Sequence, residues 1–116
     1  MTTLQLEEKL NHAILSGKAM DAFEELYDDS VVMQENSAEP TVGKAANRDR
    51  EIAFFSSIEQ FHGASVQSCA VNGDKSLSEW TMDVTFRGGA RVNMAQAVAR
   101  TWKDGKVVFE RFYYSK

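Results

Sequence analysis

The chain has 116 residues, 43% of them hydrophobic and 26% charged, with a formal net charge of −4. That length supports one core, so residues 1–116 are expected to form a single domain. The composition excludes a disordered chain, a collagen-like repeat and a disulfide scaffold, and no apolar run reaches the roughly 20 residues of a membrane helix.

Leu6, Leu10, Ala13 and Ile14 recur at helical spacing, which assigns Glu7, Glu8, Lys9 and Asn11 to the other side. Gly17 breaks this helix. Met20, Phe23, Leu26 and Tyr27 form one face of a second, short helix, which Asp28-Asp29-Ser30 ends. Val31–Glu35 reads as a short strand from its β-branched start, and residues 36–42, with the chain's one proline, as a loop. A third helix starts near Gly43, with Ala46, Arg50, Ala53, Phe54 and Phe61 on one side and Arg48, Asp49, Glu51 and Glu59 solvating the rest. His62 falls at its end, where a C-terminal cap suits a histidine.

From Gly63 the period is two. Residues 64–71 form a strand, and Asn72-Gly73-Asp74 a turn. Trp80, Met82, Val84 and Phe86 alternate with Glu79, Thr81, Asp83 and Thr85, the pattern of a half-buried strand. Gly88-Gly89 turns the chain. Val92, Met94, Val98 and Trp102 mark one face of the next strand, and Ala95, Ala97 and Ala99 the other. Lys103-Asp104-Gly105 turns again into a last strand over residues 106–115. Helices followed by long strands on tight turns give an α+β fold, an antiparallel sheet with helices on one face. Four long strands and a short one can curl into a half-barrel closed by the helices.

The bases Arg87, Arg91, Arg100, Lys103, Lys106 and Arg111 are spread rather than clustered, which argues against a nucleic-acid partner. Residues 1–42 carry nine acids and two bases, and residues 75–116 four acids and eight bases. That asymmetry points to self-complementarity within the chain or between subunits. Cys69 is alone, a small packed residue in its strand. The opening Met1-Thr-Thr-Leu-Gln-Leu-Glu-Glu has neither the basic start nor the apolar centre of a signal peptide, so a cytoplasmic protein is expected. His12 and His62 show no metal-ligand spacing, and there is no phosphate loop or dinucleotide fingerprint. No metal, cofactor or membrane is therefore expected.

The run Leu26-Tyr-Asp-Asp-Ser-Val-Val-Met-Gln-Glu-Asn36, then Pro40-Thr-Val-Gly-Lys44 and a helix, resembles the nuclear transport factor 2-like superfamily, which includes ketosteroid isomerase and the SnoaL-like polyketide cyclases. The end, Ala99-Arg-Thr-Trp-Lys-Asp-Gly-Lys-Val-Val-Phe-Glu-Arg-Phe-Tyr-Tyr114, resembles that superfamily's last hairpin. The resemblance implies a cone-shaped barrel, a strongly curved antiparallel sheet closed by the N-terminal helices, with a pocket between them. It also implies a homodimer through the outer sheet face. In ketosteroid isomerase-like members a carboxylate after the first strand is the general base, and Glu35 matches it. Their oxyanion-holding tyrosine and aspartic acid match Leu10 and Val98 here, neither of which can donate.

Glu35 shares a strand face with Val31 and Met33 and is expected to point into the cone, where desolvation would raise its pKa. Its alternative is a strand-end carboxylate in water or paired with an arginine. The direction of Glu110 depends on the last turn. A two-residue Asp104-Gly105 turn pairs Val98 with Arg111; a three-residue loop pairs Val98 with Glu110 and turns Glu110 inward. The resemblance implies the latter, with Val108, Phe112 and Tyr114 beside Val98 and Trp102. Glu110 then faces the pocket near Gln96 or pairs with Arg100.

Met33, Trp80, Met82, Gln96, Val98, Phe112 and Tyr114 are the expected pocket walls, and Glu35 and Glu110 the expected acid–base groups. Two functions fit. One is a pocket protein for a small apolar or amphipathic ligand that transfers protons on a carbonyl compound, as an isomerase, dehydratase or cyclase. The other is a non-enzymatic homodimeric binding or assembly module, which Leu10 and Val98 favour.

Overall fold

Helix α1 (Thr3–Leu15) starts at a capping box. The Thr2 hydroxyl accepts the Gln5 N–H at 3.1 Å, and the Gln5 side chain accepts the Thr2 N–H at 2.8 Å. Gly17, at φ 77°, turns the chain into α2 (Ala19–Leu26). No gap follows. Tyr27 already begins strand β1 (Tyr27–Glu35), four residues before the β-branched pair that announces it in the sequence. Thr41–Val42 form β2, a short strand paired antiparallel to β1. Helix α3 (Lys44–Ser56) is fixed at its start by Asn47, whose fully buried amide donates to the carbonyls of Val31, Thr41 and Gly43.

The remaining chain is sheet: β3 (Ile58–Asn72), β4 (Lys75–Phe86), β5 (Arg91–Lys103) and β6 (Lys106–Tyr114). This computed structural model describes residues 1–115. The six strands lie in the order β2-β1-β6-β5-β4-β3. Every neighbouring pair is antiparallel except β1 and β6, which are parallel. The sheet curls without closing, and the three helices cover its concave side. No helix among the described residues is long and apolar enough to cross a membrane.

Three expectations about faces are corrected. Helix α3 ends at Ser56, so Phe61 and His62 lie in β3. There Phe61 is 52% exposed, and His62 is a 2.7 Å hydrogen-bond partner of the Thr85 hydroxyl rather than a cap. The inner face of α3 carries Asn47, Glu51, Phe54 and Phe55, while Ala46 and Ala53 are exposed. On α1, Glu7 and Asn11 are buried, because β4 and β5 present polar side chains to receive them.

The last hairpin departs from both sequence alternatives. Asp104 (φ 53°) and Gly105 (φ 78°) are both left-handed, as a two-residue type I′ turn requires, and Lys103 pairs with Lys106. One step on, Trp102 pairs with Val107 but Thr101 with Phe109, so Val108 is the extra residue of a bulge. Val98 consequently meets Phe112, and neither Glu110 nor Arg111. The bulge restores the parity that a two-residue turn would have reversed. Glu110 faces inward, and Val107 rather than Val108 joins the core with Trp102.

That core gathers Leu6, Leu10, Phe23, Leu26, Tyr27, Val31, Met33, Trp102 and Val107. The cross-strand register then sets rows on the concave face. Ser76, Arg100, Glu110 and Met33 form one row, and Ser78, Val98, Phe112 and Glu35 the next. Trp80, Gln96 and Tyr114 form a third, and Met82 with Met94 a fourth.

Candidate functional site

Above the first of these rows the helices and the sheet stand apart, leaving a cavity of about 230 Å3. Glu35, Glu110, Trp80, Met82, Gln96, Val98, Phe112 and Tyr114 all line it. Met33 does not. It sits one row deeper than Glu35, fully buried in the core. Leu10 and Val98 line the cavity as apolar wall. Helix α3 adds Arg50, Glu51, Phe54 and Phe55.

The floor is a buried polar network that the sequence pattern does not reveal. Arg100, Glu7 and Glu110 are each 3% exposed or less. The Arg100 Nε donates to Glu110 at 2.6 Å, and its Nη1 to Glu7 at 2.8 Å and to Asn11 at 3.1 Å. Glu7 also accepts the Ser76 hydroxyl at 2.7 Å, the Ser78 hydroxyl at 2.5 Å and the Trp102 indole N–H at 3.3 Å. Tyr27 donates its hydroxyl to Glu110. Burial, then the Glu110 carboxylate, pushes the Tyr27 phenol well above its ordinary range. Burial opposes the charge on Arg100, but Glu110, Tyr27 and Glu7 outweigh it and hold the guanidinium firmly protonated. Both bonds to Glu110 fall on Oε2, which leaves Oε1 without a partner among the described residues.

Glu35 does not occupy an apolar enclosure. Its side chain is 43% exposed, receives the Arg50 Nη2 at 2.7 Å and accepts the Tyr114 hydroxyl at 3.1 Å. This is the arginine-paired strand end that the sequence left as its alternative. Burial, then that hydrogen bond to Glu35, raises the Tyr114 phenol.

The carboxyl that is desolvated inside the cavity is Glu51. Burial first, then the negative charge of Glu110, pushes its pKa from 4.5 up to about 7, and Glu35 adds to the rise while Arg50 and Arg100 oppose it. Its side chain makes no hydrogen bond or ion pair among the described residues. The sequence assigned Glu51 to solvent, yet a signal was present. Asn47, Glu51, Phe54 and Phe55 stand at i, i+4, i+7 and i+8, one stripe of a helix. Trp80 is 3% exposed, and its indole N–H is buried with no acceptor. No group of three or more metal-ligating side chains occurs among the described residues.

The likeness to known proteins covers nearly the whole chain. The family model for the SnoaL-like domain matches residues 1–114. The chain belongs to the SnoaL-like domain family. No curated protein matches it. Among solved structures, a SnoaL-like polyketide cyclase candidate from Mesorhizobium loti shares 30% identity, with a TM-score of 0.86 over 98% of this chain and 100% of that one. An LEH-like epoxide hydrolase from M. tuberculosis superposes with a TM-score of 0.78 at 16% identity, covering 97% of this chain and 82% of its own. A protein of ketosteroid isomerase-like fold from Catenulispora acidiphila, solved with trimethylamine, gives 0.74 at 15% identity, covering 89% of this chain and 80% of its own. The last two likenesses speak to fold alone. They place this SnoaL-like domain within the nuclear transport factor 2-like cone fold, as the sequence resemblance implied.

Proposed function

We propose that this SnoaL-like domain is a proton-transfer enzyme for a small carbonyl compound, with Glu51 as its base. The observation that carries the reading is a carboxyl held near pH 7 in a largely apolar cavity with no protein partner. A base works best when its pKa lies near the working pH, and such catalysis contributes about 100- to 10,000-fold. Glu51 takes a proton from the carbon beside a carbonyl, leaving the bonding pair in an enolate, and returns that proton to another carbon of the enolate system. The Gln96 amide and the free N–H groups of Arg50 are donors for the developing enolate oxygen. Glu35 and Tyr114 then act as positioning residues, because they hold Arg50 and each other. Glu110 supplies the charge that keeps Glu51 from ionising early. The likeness to a polyketide cyclase candidate at 30% identity agrees with chemistry beginning at a carbon next to a carbonyl.

The test is isomerisation of a β,γ-unsaturated cyclic ketone to its conjugated isomer, read by absorbance, with α-hydrogen exchange of cyclohexanone in D2O read by NMR. Wild type should catalyse at least one of these, and Glu51→Gln should lose about 100-fold or more. Equal rates in the two proteins refute the assignment. A ligand-binding protein without turnover is the second reading. It is favoured because Leu10 and Val98 offer no donor and the Tyr27 and Tyr114 hydroxyls are already committed. Binding of the ketone without exchange would establish it.

We propose in addition that two copies associate through the outer sheet face. There Ala95, Ala97 and Ala99 form a flat strip beside Leu77 and Tyr113, which are 47% and 43% exposed. Sedimentation of wild type against Ala97→Arg tests this, and a wild-type monomer at high concentration refutes it.

A further inference from the structure

One oxygen on the cavity floor is held in place and left without a partner. Glu110 is 1% exposed and lines the cavity. Tyr27 of β1 and the Arg100 Nε of β5 both donate to its Oε2. Those two donors come from the strands on either side of β6, so the carboxylate is restrained and Oε1 keeps one direction. Among the described residues, the unpartnered side-chain polar atoms sealed inside the protein are Asn47 Oδ1 and Trp80 Nε1. Glu110 Oε1 is also unpartnered but is not sealed, and the open space that Glu110 borders is the cavity.

The surroundings of this oxygen decide which donor suits it. Val98 and Phe112 form the next row of the sheet, and Leu10, Ile14 and Phe23 wall the helix side. An acceptor facing apolar wall costs free energy until a donor reaches it. An ammonium brings three N–H bonds, and two of them would be left against apolar side chains. A carboxylate or phosphate brings acceptors only and meets repulsion. A hydroxyl brings a single O–H and can rotate it onto Oε1.

We infer that the substrate is a hydroxyketone whose hydroxyl donates to Glu110 Oε1 on the floor, at the end opposite its carbonyl. The inference rests on the proton-transfer reading for the carbonyl end and leaves the roles there unchanged. The carbonyl oxygen keeps Gln96 and Arg50 as its donors, and the proton beside it keeps Glu51 as its base. Gln96 lies two rows of the sheet further out than Glu110, so the two polar ends of the ligand face different parts of the cavity. Glu110 thereby selects the substrate and sets which way round it lies. The cavity volume of about 230 Å3 equals roughly eight waters at about 30 Å3 each, room for one six-membered ring with two small substituents.

The experiment uses three uncharged ketones of one ring: 4-hydroxycyclohexanone, 4-methylcyclohexanone and 1,4-cyclohexanedione. They place a hydroxyl, a methyl and an acceptor-only oxygen opposite the carbonyl. Each is titrated into wild type, Glu110→Gln and Glu51→Gln and followed by amide chemical shifts. Wild type should bind the hydroxyketone about tenfold more tightly than either of the others. In Glu110→Gln, Arg100 can only donate and so draws the amide oxygen to the Oε2 position, which puts the amide NH2 where Oε1 was. A donor then replaces the acceptor, and the preference for the hydroxyketone over the dione should disappear or reverse. In Glu51→Gln the preference should persist, because the base is not the hydroxyl's partner. Equal affinity of wild type for the hydroxy- and methyl-ketones overturns the inference. An unchanged preference in Glu110→Gln overturns it too, as does its loss in Glu51→Gln or failure of all three to bind. Where Glu110→Gln does not fold, the wild-type and Glu51→Gln titrations decide. Turnover plays no part in these titrations. Exchange abolished in Glu51→Gln with no hydroxyl preference in wild type would uphold the proton-transfer reading and sink this inference alone.

Discussion

Replacing Glu51 by glutamine should stabilise the protein relative to wild type, increasingly so as pH rises from about 4.5 through 7. In the unfolded chain Glu51 ionises near 4.5, and in the folded chain near 7. Between those values the folded chain holds a proton that the unfolded chain has released, so stability contributed by this group is complete below about pH 4.5 and is lost as pH rises through 7. The gap from 4.5 to about 7, at about 1.36 kcal/mol per pH unit, amounts to ~3 kcal/mol. The glutamine carries no such dependence. Urea unfolding of both proteins across pH 4 to 8 therefore yields a stability difference, variant minus wild type, that grows by ~3 kcal/mol from acid to neutral and levels off above about pH 8. Other groups titrate in the same range. Arg48 beside Glu24, Ser30 beside Asp28 and Arg91 beside Asp83 hold those three carboxyls below their ordinary values and act in the opposite direction. They are common to both proteins and cancel in the difference. A difference that stays flat within about 0.5 kcal/mol, the ordinary scatter of surface substitutions, would refute the claim that Glu51 is desolvated.

Arg100→Met leaves Glu7 and Glu110 buried with no countercharge, and should cost about 3–5 kcal/mol in urea unfolding at pH 7. Tyr27→Phe removes one donor to Glu110 and should cost about 1–3 kcal/mol by the same measurement. Glu35→Gln breaks an ion pair whose side chains are 43% and 37% exposed, so its effect on unfolding should stay within about 1 kcal/mol and shrink in high salt.

The fold was legible because its signals are local and repeated. Trp80, Met82 and Val84 alternate without interruption, and they lie buried on β4. Asn72-Gly73 and Asp104-Gly105 mark turns that exist. What was not legible depends on partners distant in sequence. Tyr27 reads as the last residue of a helix from its spacing to Phe23, yet the chain turns to strand there because Tyr27 pairs with Val107 of β6. The inward direction of Glu110 was anticipated through a wrong route. The two-residue turn alone would have turned it outward, and a bulge at Val108 reverses that. The site was partly legible. Phe112, Tyr114, Gln96 and Trp80 follow from strand parity, but Glu7 and Glu51 break the rule that carboxylates mark the solvent face of a helix.

That rule fails at both positions for a related reason. A cavity of about 230 Å3 inside so small a domain costs free energy, because apolar side chains gain by closing on one another. Groups fixed by directed bonds can resist that closure. Arg100 is bonded on two sides, Glu7 on four, and Tyr27 reaches across from β1 to Glu110, so helix α1 and strands β1, β4, β5 and β6 are fixed at set distances. The cost is a floor with two carboxylates and one guanidinium, and its surplus charge reaches Glu51 through Glu110. Burial comes first in raising the proton affinity of Glu51, and Glu110, one of the residues that brace the cavity, adds to it. Glu110→Gln, which removes one charge from that floor and keeps the side chain's shape, should lower the Glu51 pKa measured by carbon NMR. A Glu51 titration unchanged in that variant would separate the architecture of the cavity from its chemistry.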